Sequence, residues 1–167
     1  MSATPPWETY TEAGLLELLC GNEDAVRFVV DIAQCSHAYD DLIDRDKPVS
    51  DAVVHGLMWK LLVSLPTNAF FRQHQDTLRP VIITGILNWK AATDMEAGAD
   101  LEELHVSHAL RYAIADIVLL CMAILGGHQY AMANARRARL MGQSDTWAHY
   151  LAEHPPTEHN HADPHQD

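Results

Sequence analysis

The segment His37-Ala38-Tyr39-Asp40-Asp41-Leu42-Ile43-Asp44-Arg45-Asp46 packs one histidine and four aspartates into ten residues. On a helix, Asp40 and Asp44 are four apart, Asp41 and Asp44 are three apart, and His37 lies one turn before the first pair. These side chains therefore share one face within about one and a half turns. Carboxylates held this close repel one another, and something must relieve the repulsion. A divalent cation is one answer: Mg2+ takes one or two carboxylates and completes its shell with water and phosphate oxygens. A basic helix docked on the cluster is a second. A solvated acidic helix end, softened by Arg45 and Lys47, is a third. The position adds a cost, because a helix C-terminus disfavours each negative charge by roughly 0.3–1 kcal/mol. Spacing alone is compatible with all three.

Other polar residues sit inside apolar patterns. His105, His108, Tyr112 and Asp116 fall within about 80° of one another on an unbroken helix. That stripe either lines a cavity or pairs Asp116 with a neighbouring helix, because a buried aspartate needs a partner or a proton. The HxxH spacing of His105 and His108 suits zinc, but no third ligand accompanies it. Lys90 and Asp94 are an i,i+4 pair, read as a surface ion pair or as groups turned toward the aspartates and a phosphate. Arg136, Arg137 and Arg139 form a basic run that marks a solvated face, docks on an acidic helix or holds a diphosphate. Trp59, Trp89 and Trp147 read as core or interface anchors.

Helices must position these groups, because strand signals are nearly absent. A first helix runs from Thr9 or Thr11 to Cys20 and stops at Gly21. Asn22 caps a second, with Glu23 and Asp24 in its first turn, and it ends near Arg45. Its apolar positions are Val26, Val29, Val30, Ala33 and Ala38. Ser50 caps a third, which carries Val53, Val54, Leu57, Met58, Leu61 and Leu62 and stops before Pro66. A short helix covers Ala69–Gln75, and another starts near Pro80, a first-turn residue type, and runs to about Ala97. Asp100 caps a long apolar helix that ends at Gly126-Gly127. A last helical region spans His128–His154, with a break near Gly142.

The chain has 167 residues, enough for one domain with a real core. Its formal charge of −12 speaks against nucleic acid, whose phosphates need a basic face. The apolar run Ala113–Leu125 is interrupted by Asp116 and is shorter than the ~20 residues of a membrane span, so it reads as a core helix. Met1–Trp7 lacks the apolar stretch of a secretion signal. Cys20, Cys35 and Cys121 form neither a CxxC pair nor an even set, and read as reduced, buried thiols of a cytoplasmic protein. The expected architecture is all-α: one helix bundle over residues 1–154, with a disordered, His-rich acidic tail over 155–167 that includes His159, His161 and His165.

Asp40-Asp41-Leu42-Ile43-Asp44 matches the DDxxD pattern of the class I isoprenoid synthases, the trans-prenyltransferases and terpene cyclases. The stretch from Val30 to Asp46 resembles the first aspartate-rich helix of that family. The counterpart of its second metal motif is Tyr112–Ile117, with the single aspartate Asp116. The resemblance implies a reduced α-bundle with a central cavity, Mg2+ held by Asp40, Asp41 and Asp44, and binding or transfer of a prenyl diphosphate. His37, Lys90, Asp94, His108, Tyr112 and Asp116 are the cavity candidates, and no catalytic residue is named. Two other readings stand beside it. One is an all-α nucleotide pyrophosphohydrolase of the MazG kind, although the ExxE pattern of those enzymes is missing. The other is a non-catalytic helical protein that acts through a partner or as a homo-oligomer. A deep apolar cavity beside Asp40 favours the prenyl reading, a shallow polar groove favours nucleotides, and a filled core with an apolar outer patch favours a binding protein.

Overall fold

In the computed structural model, residues 10–45, 48–98, 100–143 and 145–156 are described. Asp46, Lys47 and the tail histidines 159, 161 and 165 lie outside them. Among the described residues every regular element is helical. In chain order these are α1 (Glu12–Leu18), α2 (Glu23–Asp44), α3 (Asp51–Trp59), a π turn (Lys60–Ser64), α4 (Leu65–Thr67), α5 (Ala69–Gly98), α6 (Leu101–Leu110), α7 (Ala113–Gly142) and α8 (Trp147–Glu153).

Local chemistry sets most of the starts. Thr11, Asn22, Ser50, Asp100 and Thr146 each precede a helix in extended backbone, and each side-chain oxygen accepts a first-turn N–H. α1 stops where Cys20 and Gly21 both adopt positive φ, 54° and 75°. Cys35 and Cys121 are buried, as expected of such thiols, whereas Cys20 is exposed at this stop.

Three boundaries differ from those expected. Pro80 does not start a helix but lies within the 30-residue α5. Pro80 and Asp76, whose carbonyl loses its helical donor, are both exposed, so water takes up that carbonyl. The third helix does not end before Pro66. Its ladder widens instead, with the Leu65 N–H reaching back to the Lys60 carbonyl, and the chain stays helical through Thr67. The long apolar helix expected from Asp100 to Gly126 is broken at Tyr112, where ψ is 38°. The second part then continues through Gly127 as a kink, with φ 79° and ψ 171°, and ends at Gly142.

The core lies between α1, α2, α5 and α7. Phe28, Leu18, Leu19, Leu78, Val118, Cys121 and Met122 are fully buried there. Phe28 stacks on Phe71 at 5.4 Å and packs against Phe70 at 6.0 Å. Asn68 ties the α5 start to α2 by donating to the Asp24 carbonyl at 2.9 Å. A window within Leu101–Glu153 reaches a mean hydropathy of 1.9, the composition of a membrane-crossing helix. Of that window 28% is buried; within the stretch Ala115, Ile117, Val118, Cys121 and Met122 are buried in the core, and the helix is kinked at Gly127.

Candidate functional site

The aspartate cluster closes α2. Arg45 caps the helix in the left-handed region, φ 56°, and its N–H reaches the Asp41 carbonyl. Asp40 faces inward. Its Oδ1 accepts from Trp89 Nε1 at 2.7 Å and from Arg111 Nη1 at 3.2 Å. The same guanidinium turns its Nε and Nη2 to the two oxygens of Glu96 and lies 6.0 Å from the Trp89 ring.

Glu96 is the most enclosed charge in this group, with 8% of its side chain exposed. Besides Arg111 it accepts from Ser107 Oγ at 2.9 Å and from the Tyr150 hydroxyl, which also lies 2.7 Å from Ser107 Oγ. His154 Nε2 stands 3.8 Å away. Burial raises the Glu96 pKa, but the bonds from Arg111, Tyr150 and Ser107 outweigh it and hold the carboxyl below its ordinary range. Burial works against charge on Arg111 as well. The hydrogen bonds and charge of Glu96, with Asp40 and Asp44 beyond it, reverse that and keep the guanidinium protonated. Burial and Glu96 push the Tyr150 phenol up to about 12. The network thus joins the end of α2 to α5, α6 and α8 through one arginine.

Among the described residues, one set of three ligand-type side chains brings its donor atoms within 4.8 Å of one another, and it is Asp145, His149 and Glu153. Asp40, Asp41 and Asp44 are not such a set. As arranged, Asp40 is engaged by two protein donors and the three carboxylates do not converge. The donor set fits a salt-bridged helix end rather than a Mg2+–diphosphate centre. At Asp145–His149–Glu153 both imidazole nitrogens face carboxylates, Nδ1 at 2.8 Å from Asp145 and Nε2 at 3.9 Å from Glu153. The hydrogen bond that His149 donates to Asp145, and then the charge of Asp145, raise the His149 pKa, so the triad is an exposed ion-pair ladder.

The other sequence candidates disperse. His37 is exposed on α2. Lys90 and Asp94 pair with each other on the outer side of α5. The break at Tyr112 takes Asp116 out of the expected stripe, while His105, His108 and Tyr112 stay clustered about Trp147. His108 bonds Tyr112 at 3.3 Å, and His105 stacks on Trp147 at 4.1 Å. Burial lowers the His108 pKa and pushes Tyr112 up to about 12. Asp116 sits on α7 and pairs with Arg139, while Arg137 takes Glu17. Arg137 thus meets a carboxylate of α1, and Arg139 one at the start of its own element, on the other side of the Gly127 kink.

Spacing in the sequence does not single out Glu96, Ser107, Arg111 or Tyr150 as site residues. One signal was present: Trp89, Ala92 and Glu96 fall at i, i+3 and i+7 of α5. An acid on the stripe of a buried alanine demands a basic partner.

A second feature lies on α3. Neither α3 nor the π turn contains a buried residue. Gly56, Lys60 and Val63 are half-buried, and Lys60 meets Asp31 of α2 at 3.8 Å. Val53, Val54, Met58, Leu61 and Leu62 point outward, with Trp59 at their edge; Trp59 is 64% and Leu62 67% exposed. Two shallow clefts, of about 370 and 360 Å³, lie at the other end of α2 around Asn22, Asp24 and Asp31. Neither includes Asp40. Comparison with known protein families, with characterised proteins and with solved structures finds no match.

Proposed function

We propose that this chain is a helical binding protein that works through the outward apolar face of α3 and the π turn, not through turnover at the aspartates. The observation that carries the reading is a helix of nearly continuous apolar sequence, Val53 to Val63, with no buried residue, beside a bundle whose buried cluster is formed by other helices. Leaving such a face in water forgoes about 25 cal/mol for every Å² that burial would remove. Contiguous apolar patches of several hundred Å² on soluble proteins mark interaction sites.

The aspartates support the reading from the other side. Asp40 is bound within the chain by Arg111 and Trp89, so this end of the cluster contributes to holding the bundle together. The two clefts around Asn22, Asp24 and Asp31 are open and lie away from Asp40.

Trp59→Asp and Leu62→Asp test it. Both should leave the melting temperature within a few degrees of wild type, because surface changes rarely exceed ~0.5 kcal/mol. Both should also lower light scattering of concentrated solutions. A melting loss of the size seen for core substitutions, about 2–5 kcal/mol, would place this face inside the folded chain and overturn the reading.

A further inference from the structure

We infer that the face of α3 is covered by α3 of a second copy of this chain, the two helices packing across a two-fold axis. This rests on the binding reading above and names the partner.

Area comes first. With fully exposed side chains presenting roughly 120–250 Å² each, Val53, Val54, Met58, Trp59, Leu61 and Leu62 together expose about 550 Å². Two copies bring about 1,100 Å² of apolar surface to the contact, and a polar rim carries that into the ~1,200–2,000 Å² of a stable specific interface.

Charge comes second. From Ala52 to Leu65 the chain has one formal charge, Lys60, and it is turned inward onto Asp31. A two-fold contact sets each patch against itself, so any charge in it meets its own sign. A patch without charge meets this condition. The net charge of −12 disfavours contacts between the charged faces of two copies. It also disfavours an anionic lipid surface, where an interfacial helix carries Lys and Arg on its polar face. α3 has Asp51 and His55 there.

The test is sedimentation velocity of the full chain at about 50 μM, read with the melting temperature. Wild type should sediment at twice 18.6 kDa, about 37 kDa. Leu62→Glu should sediment at 18.6 kDa, its dissociation constant raised by about two orders of magnitude or more, since each copy brings an unpaired charge to the contact, and its melt should fall only by the few degrees that loss of dimerisation removes. Leu62→Met should remain dimeric. Wild type running as a monomer, or Leu62→Glu running as a dimer, overturns the second copy as partner. If the melt of Leu62→Glu is unchanged in that case, the binding reading survives. If Leu62→Glu melts far below wild type, the face is internal and both readings fall.

Discussion

Arg111→Met should be among the most damaging single substitutions in the polar half of the bundle. Arg111 is 18% exposed and Glu96 8%, and the arginine supplies two of the bonds that hold the glutamate charged. Methionine preserves the apolar stem and removes the fork. Breaking one side of a buried ion pair costs about 3–5 kcal/mol, and the residual exposure of Arg111 places this case near the lower end. At roughly 2–4 °C per kcal/mol for a chain of this size, the melting temperature should fall by about 6–12 °C at pH 7. The pH dependence gives the sign. In the wild type Glu96 has its pKa lowered on folding, so its contribution is full above its unfolded value and is lost as pH falls through the folded one. In the variant, burial is opposed only by the bonds from Tyr150 and Ser107, so the folded pKa rises from its wild-type position. Protonation then costs the variant less than the wild type, and the deficit should narrow as pH is lowered from 7 toward 4.5. Glu96→Gln on top of Arg111→Met should recover part of the loss at pH 7. Circular dichroism melts across this pH range decide the matter. A variant melting within 2 °C of wild type, or a deficit that widens in acid, would refute the reasoning.

The Asp40→Asn, Asp44→Asn double variant separates the three readings of the aspartates. With Asp40 bound to Arg111 and Trp89, it should melt a few degrees below wild type without metal, the loss being moderate because Asp40 is 38% exposed. A variant melting above wild type, together with a Mg2+-dependent rise in the wild type, would restore a metal site. Gly127→Ala should cost about 1–3 kcal/mol, because φ 79° with ψ 171° is open to glycine alone; a melt unchanged from wild type would show that the kink relaxes. By NMR, His149 should titrate above 6.5 and His108 below it, following Asp145 in the first case and burial in the second. The reverse order would contradict the placement of α8.

What was legible in the sequence is what neighbours in the chain decide. Asn22, Ser50 and Asp100 announce their helices because a cap is a local hydrogen bond. The aspartate face was legible too, since it depends only on helical spacing. Its partner was not, because Arg111 stands 71 residues from Asp40 and only the fold brings them together. The break at Tyr112 has no glycine or proline to mark it, and Asp116 leaves the expected stripe there. Pro80 carried the opposite lesson: a proline at an exposed position of a long helix needs no boundary. For α3, periodicity defined a face but not its surroundings. Val53, Val54, Met58, Leu61 and Leu62 read the same whether they meet a core or a partner.

The most direct measurement is hydrogen–deuterium exchange of the full chain over a hundredfold range of protein concentration. If α3 is the contact surface, amides in residues 51–64 should gain protection as concentration rises, and the segments of the Asp40–Arg111–Glu96 network should stay unchanged. Protection of α3 that does not depend on concentration, or a concentration effect confined to other helices, would contradict the account.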